Sequence, residues 1–342
     1  MTENINFPKA VALELTYKCN HKCLFCSCPW YNPHSKYVIE EELSTQEWKS
    51  AIAKLYELGV EYFSISGGEA LMKEGLPEII EYIRKEGDKR NLHNPIVLIS
   101  NARIMSENFL EIFKKNDVHL SMSLPGYKTF AKLTGVNNAN GVLHWFSMAK
   151  DFGIKTTLNV TVTALNYSEL FETISMGMIS GANSLLLNRF LPGGRGLMNM
   201  DILQIDIEQI TGMLKTAEEV LEYSNRYGSV GTEIPMCVLG KNKYSRLNIG
   251  YRCAAVKDFF VIDPSGQIRT CNHSSRIVGN IFSRPMITDT DYWLTFEKSR
   301  YIPSACFRCN AACDCGCREV ASILKGRIDD IDPSIGEVTP IE

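Results

Sequence analysis

Cys19, Cys23 and Cys26 stand in the run Cys19-Asn-His-Lys-Cys23-Leu-Phe-Cys26, a C-x3-C-x2-C spacing that gathers three thiols on one short loop. Three thiolates can hold three irons of a 4Fe-4S cluster and leave the fourth iron open to a cofactor or substrate. A structural zinc site is the competing reading on spacing alone, with Cys28 or His21 as its fourth ligand. Phe25 sets an apolar side chain beside the third thiol. A second group, Cys237, Cys253, Cys271, Cys306, Cys309, Cys313, Cys315 and Cys317, lies far along the chain, with no cysteine between residues 28 and 237. Between the groups, Gly67-Gly68-Glu69-Ala70 offers glycines that let the backbone approach a ligand and a carboxylate that suits an ammonium group, though alone it is more often a turn. Gly193-Gly194-Arg195-Gly196 lacks the Lys-Ser/Thr of a phosphate loop and reads as a turn.

These groups need a scaffold to bring them together. The 342 residues are 45% hydrophobic and 22% charged, enough for a sizeable core and unlike a disordered or collagen-like chain. With 36 Lys+Arg against 39 Asp+Glu, the net charge of −3 leaves no excess to neutralise phosphates, so neither a nucleic-acid partner nor a membrane surface is expected. No basic segment followed by a signal-length apolar run opens the chain, and no 18-residue apolar stretch occurs, so a cytoplasmic location is expected. In that reducing compartment clustered thiols are more often metal ligands or catalytic groups than disulfides.

From residue 10 to 190, β-rich runs alternate with amphipathic helical patterns. Strands are predicted near Val11–Thr16, Tyr62–Ser66, Ile96–Ser100, Val118–Leu124, Lys155–Thr163 and Ser184–Phe190. The clearest helix starts at a Ser44/Glu47 capping-box pattern, with Trp48, Ile52, Leu55 and Tyr56 following at helical spacing; others cover 76–86, 106–115, 141–151 and 167–179. Six parallel strands with right-handed crossovers predict an α/β chain with a barrel or part of one. The loop after a barrel strand's C-terminal end is where active sites lie, which favours an iron–sulfur reading of the Cys19 loop over zinc. Pro192–Gly196 ends the repeat, and Asp201–Tyr227 is predicted as one long polar-faced helix. Short strands and turns follow, such as Phe259–Ile262 and Asp263-Pro-Ser-Gly266. The expected divisions are a barrel over 1–200, a linking helix and bridge over 201–235, a small cysteine-rich unit stapled by metal over 236–328, and a loose acidic tail over 329–342.

On these residues the chain resembles the radical S-adenosylmethionine (radical SAM) superfamily, whose signature is a C-x3-C-x-aromatic-C loop after the first strand of a partial (β/α)6 barrel. Cys19, Cys23, Phe25 and Cys26 match it. The resemblance implies a 4Fe-4S cluster whose open iron chelates S-adenosylmethionine. It also implies that Gly67-Gly68-Glu69, in place of the family's Gly-Gly-Glu-Pro, binds the methionyl amino group through Gly68 and Glu69. Asn101, Ser123 and Arg189, with Asn159 or Thr161, fall at later strand ends that the family uses for the cofactor's ribose and carboxylate. Cys253-x12-Gly266-x4-Cys271 resembles one half of the SPASM extension, which holds auxiliary Fe-S clusters. Cys306-x2-Cys309-x3-Cys313-x3-Cys317 departs from the other half, C-x2-C-x5-C-x3-C: the middle gap is two shorter, Cys315 is extra, and no cysteine follows Cys317. Two auxiliary clusters would need eight thiolates. Cys253, Cys271, Cys306, Cys309, Cys313, Cys315 and Cys317 make seven and Cys237 gives eight; Cys237 or Cys315 would make up the ligands that the departing motif lacks, or one cluster would keep an open site. A pair of structural zinc sites is the competing reading for this half.

The resemblance further implies that the reduced cluster cleaves S-adenosylmethionine to methionine and a 5′-deoxyadenosyl radical, which takes hydrogen from an unactivated C–H bond while the protein excludes water. The auxiliary clusters would accept the electron left on the substrate. Enzymes of this layout often crosslink, oxidise or epimerise ribosomally made peptides, and a peptide substrate is the first expectation. Only residues 1–10 precede the first strand, so a leader peptide would bind elsewhere or on a separate protein. Dehydrogenation or epimerisation of a small molecule (a sugar, amino sugar or tetrapyrrole precursor) is the alternative. A non-catalytic metal-binding protein is a third reading, against which the intact Gly67-Gly68-Glu69 speaks. Cys28, Cys237 and Cys315 are candidate hydrogen donors for an epimerase, or extra ligands. A flavodoxin- or ferredoxin-type protein would supply electrons.

Overall fold

The computed structural model describes residues 5–32, 34–240, 242–307, 309 and 313–333. Strands β1 (Ala10–Glu14), β2 (Tyr62–Ser66), β3 (Ile96–Ser100), β4 (Val118–Ser123), β5 (Thr156–Val162) and β6 (Ser184–Arg189) pair in sequence order, all parallel. Helices α1 (Thr45–Glu57), α2 (Leu76–Asp88), α3 (Glu107–Lys115), α4 (Phe130–Thr134), α5 (Ala139–Asp151) and α6 (Leu170–Ile179) lie between them in the chain. This is the barrel, or part of one, that the periodicity predicts, and it agrees with the partial (β/α)6 barrel that the resemblance implies.

Local chemistry sets these elements. Ser44 and Glu47 exchange both bonds of a capping box at the start of α1, and Trp48, Ala51, Ile52 and Leu55 are buried on its inner face. On β5 the residues Thr156, Leu158, Val160 and Val162 are buried, while Thr157, Asn159 and Thr161 alternate with them. Asn159 and Thr161 line the barrel's cavity, so the period of two assigns the polar face to the lumen. Polar bonds cross that lumen face from strand to strand: His119 to Thr157 (2.6 Å), Thr157 to Ser184 (2.9 Å) and Asn188 to Asn159 (3.0 Å).

The chain after β6 departs from one long helix over 201–227. A short α7 (Met200–Leu203) stops at an extended Gln204, and Asp206 starts α8 (Ile207–Ser224) with its own capping box to Gln209. Asn225 then takes a left-handed conformation (φ 51°) that ends the helix, and β7 (Tyr227–Val230) joins the sheet beside β6. After α9 (Met236–Leu239), β8 (Leu247–Ile249) extends that edge in parallel. At the opposite edge β9 (Phe259–Ile262) pairs parallel to β1, with β10 (Gln267–Arg269) and β11 (Ile277–Asn280) following antiparallel. One eleven-stranded sheet results, and the cysteine-rich segment is sewn to the barrel through β1. Helices α10 (Thr290–Glu297) and α11 (Arg318–Lys325) complete it.

The expected loose tail begins differently. Asp332 is fully buried, accepting from Arg189 Nη2 (2.6 Å) and from the Cys317 N–H (2.8 Å). Residues 334–342 of that tail lie outside the described residues. No helix among the described residues is long and apolar enough to cross a membrane.

Candidate active site

A cavity of about 490 Å³ opens at the C-terminal ends of the parallel strands. Cys19, Cys23, Phe25, Cys26 and Cys28 from the loop after β1 line it, as do Gly67, Gly68 and Glu69 after β2, Asn101 after β3, Ser123 on β4, and Arg189 on β6. Cys253, Cys271 and Cys317, distant in sequence, line the same cavity. The barrel loop and part of the C-terminal cysteine group therefore face one space.

The cysteine loop is pinned by its neighbours. Its Lys22 and Leu24 N–H groups donate to the carbonyls of Thr134 (2.9 Å) and Leu133 (2.8 Å) at the end of α4. Asn101 Nδ2 donates to Asn20 Oδ1 at 2.7 Å, and Arg103 bonds the Asn20 carbonyl. The Gly68 N–H donates to Thr16 O (2.7 Å) and the Glu69 N–H to Lys18 O (2.8 Å). A Cβ on Gly68 would lie 2.3 Å from the Lys18 carbonyl oxygen, so only glycine lets the β2 turn seat against the base of the cysteine loop.

Glu69 is buried and satisfied from three sides: Ser100 Oγ (2.7 Å), the Asn101 N–H (2.7 Å) and the Leu71 N–H (3.1 Å) all donate to its carboxylate. Burial raises its carboxyl above the ordinary value, and those bonds oppose the rise. Burial also pushes the Cys19 thiol up to about 11 and drives Cys23 up further. Cys26 moves the other way, chiefly through a hydrogen bond from Cys28, and the same bond raises Cys28. The Cys28 thiol also points at the Gly67 carbonyl, 3.9 Å away. Thiols held protonated in this way release protons when they take up iron.

Around the C-terminal thiols, Asp314 binds the Cys253 N–H (2.9 Å), Tyr301 OH (2.7 Å) and Lys257 Nζ (3.2 Å) through one oxygen. The buried Arg318 donates to the carbonyls of Cys315 (2.6 Å), Gly316 (3.0 Å) and Asp330 (2.8 Å), which folds the last cysteine loop back on itself. Cys306 and Cys315 are joined as a disulfide, so these two predicted ligands stand together. Cys237, on α9, does not line the cavity; burial raises its thiol, and its neighbours Cys313 and Cys309 add to the rise. Among the described residues no three His, Cys, Asp or Glu side chains gather as for a single metal ion. One ion draws its ligands to about 2.0–2.3 Å, whereas a cluster spreads them over several irons.

Two lining residues escape sequence reasoning. Glu233 follows β7, a short strand that overlaps the predicted helix only at Tyr227; its Oε1 is buried without a hydrogen-bond partner, and burial raises its carboxyl. His273 is held at a low value of about 4 by burial, so its neutral ring donates from Nε2 to the Leu191 carbonyl at 3.2 Å. Position after a strand end was the available signal for the first; none marked the second.

A parallel barrel with three thiols on its first loop and a Gly-Gly-Glu turn beside them defines a radical SAM protein, and residues 13–176 match the radical SAM superfamily. Those residues form a radical SAM domain, and the protein is a radical SAM enzyme. It is similar to the PqqA peptide cyclase of Bradyrhizobium diazoefficiens, 25% identical over 348 residues that span 97% of this chain and 87% of the relative. Its fold is similar to Streptococcus suis SuiB bound to S-adenosylmethionine, with a TM-score of 0.73 at 16% identity over 97% of this chain and 78% of that one. SuiB bound to the precursor peptide SuiA gives the same TM-score at 15% identity, over 97% and 76%. A radical SAM enzyme uses a 4Fe-4S cluster and S-adenosylmethionine, and the donors fit: three free thiols face a cavity beside a glycine cradle, and the nearby His21 Nε2 and Asn20 Nδ2 are buried without partners.

Proposed function

We propose that this enzyme modifies a ribosomally made peptide, by crosslinking, oxidation or epimerisation, at the mouth of its barrel. The observation that carries the reading is the shared cavity, in which the Cys19/Cys23/Cys26 loop and Cys253, Cys271 and Cys317 line one space. The names of the peptide-acting relatives support the same substrate class.

When bound, the cluster and S-adenosylmethionine supply a 5′-deoxyadenosyl radical, which removes hydrogen from a C–H bond. Cys19, Cys23 and Cys26 would hold that cluster. Gly68 and Glu69 would receive the methionyl amino group, and Asn101, Ser123 and Arg189 the rest of the cofactor. Of these, Arg189 is also tied to Asp332, so its guanidinium is fixed before any ligand arrives. Phe25 and Phe130 give the cavity apolar walls that keep water from the reacting carbon. Cys253, Cys271 and Cys317 would hold a cavity-facing auxiliary cluster, and Cys237, Cys309 and Cys313, with Cys306 and Cys315 once an external dithiol reductant opens their disulfide, would supply the thiolates for a second. These auxiliary centres would accept the electron a crosslink or dehydrogenation leaves behind, and Glu233 stands where it could take the accompanying proton. Residues 1–200 would form the catalytic barrel, 201–235 the bridge and 236–328 the auxiliary unit. A flavodoxin- or ferredoxin-type donor and a separate leader-binding protein complete the proposed partners.

The test is an anaerobic assay of the iron-loaded chain with S-adenosylmethionine, dithionite and precursor peptides encoded beside its gene. A peptide lighter by two hydrogens, or one carrying solvent deuterium at an inverted centre, supports the reading. Formation of 5′-deoxyadenosine with every such peptide unchanged, and turnover of a sugar or tetrapyrrole precursor instead, would contradict it.

A further inference from the structure

Gly193-Gly194-Arg195-Gly196 reads from sequence as a plain turn, but the fold lays it along the cysteine loop. A Cβ on Gly194 would lie 2.4 Å from the Cys28 carbonyl oxygen and 2.6 Å from that of Cys26. With φ of +47° at Gly194, the close approach and the backbone both ask for glycine. Three donors then cross to the loop. The Gly196 N–H reaches the Cys26 carbonyl (3.1 Å), Asn199 Nδ2 the Leu24 carbonyl (3.4 Å), and Arg195 Nη1 the Cys23 carbonyl (3.0 Å).

Arg195 is held on a second side. Its guanidinium carbon sits 4.4 Å from the centroid of the Tyr31 ring, and the Tyr31 hydroxyl is anchored to the Tyr17 carbonyl at 2.8 Å. No carboxylate among the described residues pairs with Arg195, so its charge is not cancelled locally. The Cys23 carbonyl that it reaches lies within the Cys19–Cys26 loop, so that charge stands beside the three thiols.

We propose that Arg195 is a positioning residue for the N-terminal cluster: bound to the Cys23 carbonyl and seated on Tyr31, it fixes a positive charge against the Cys19–Cys26 loop and makes the cluster easier to reduce. A cluster that gains an electron becomes more negative, and a fixed cation in a poorly screened site favours that state. The electron comes from an external one-electron reductant, a ferredoxin-type protein or dithionite. The inference rests on the radical SAM reading above.

The test is an anaerobic EPR-monitored redox titration of the full iron-loaded chain, following the signal that changes when S-adenosylmethionine is added. In Arg195→Gln, the reduced-to-oxidised ratio of that cluster at a fixed solution potential is expected to fall about tenfold, which is 59 mV for a one-electron couple. Arg195→Lys keeps the charge and is expected to stay near the wild-type ratio. An unchanged ratio in loaded Arg195→Gln, or a fall in Arg195→Lys as large as in Arg195→Gln, overturns the proposal. Should Arg195→Gln fail to hold iron, Arg195→Lys decides: a wild-type ratio supports the role of charge, and a tenfold fall overturns it. A wild-type chain with no reducible cluster removes the underlying reading as well, which separates that failure from failure of the Arg195 role.

Discussion

Gly68 has no side chain to contribute, yet the geometry of the site turns on it. The 2.3 Å approach a Cβ would make to Lys18 O means that Gly68→Ala must push the β2 turn off the base of the cysteine loop. Iron content is expected to survive, while 5′-deoxyadenosine formation falls by about tenfold or more, the equivalent of about 1.4 kcal/mol; quantifying 5′-deoxyadenosine in matched iron-loaded samples checks this. His119 is a second residue-scale case. Burial lowers its proton affinity within the lumen. The unfolded chain takes up a proton near the ordinary value of about 6.5, and the folded chain resists until lower pH, so stability is lost as pH falls below about 6.5. Replacing it by Gln should flatten that dependence in a thermal melt series, and an identical slope would rule His119 out as its source. At this scale the chemistry was partly legible. Cys19, Cys23 and Cys26 declare themselves because their spacing is local, and Gly67-Gly68-Glu69 because a turn motif is local. Glu233 and His273, which line the cavity, and Arg195, which meets the cysteine loop, did not, since each is brought there only by contacts between distant segments.

The elements were legible wherever one face is apolar and the start is capped. The α1 helix shows both: its box at Ser44 and Glu47 is formed, and Trp48 lies fully buried beneath it. Trp48→Ala is expected to cost about 3–5 kcal/mol through transfer and cavity terms. A denaturant titration should show a lower midpoint with unchanged slope, whereas a loss under about 1 kcal/mol would mean the pocket collapses around the change. The segment after β6 misled because its polar face continues through Gln204–Asp206, and only the capping box at Asp206 and Gln209 betrays the break. β7 and β8 are four and three residues long, too short for a periodic signal, and they gain their hydrogen bonds only by joining β6.

At the scale of the whole molecule, two buried ion pairs among the described residues tie the C-terminal segment to the barrel. Glu14 of β1 bonds Arg269 of β10, and Arg189 of β6 bonds Asp332 beyond the last cysteine. Removing one partner strands the other's charge, so Asp332→Ala is expected to lose about 3–5 kcal/mol. Faster proteolytic cleavage after Cys317 would locate that loss, and wild-type resistance would show that the C-terminal segment holds without it. No periodicity could reveal these pairs, because they join residues 255 and 143 positions apart.

The shared cavity makes the central claim testable in one measurement: iron and 5′-deoxyadenosine per chain after anaerobic reconstitution, for the wild type and for the triple variant Cys19→Ala, Cys23→Ala, Cys26→Ala. The wild type is expected to hold about twelve irons, four for each cuboidal cluster, and to form 5′-deoxyadenosine. The triple variant is expected to keep about eight irons and form none. Zinc in place of iron in the wild type, or 5′-deoxyadenosine from the triple variant, would contradict the assignment of the barrel loop as the radical-generating site.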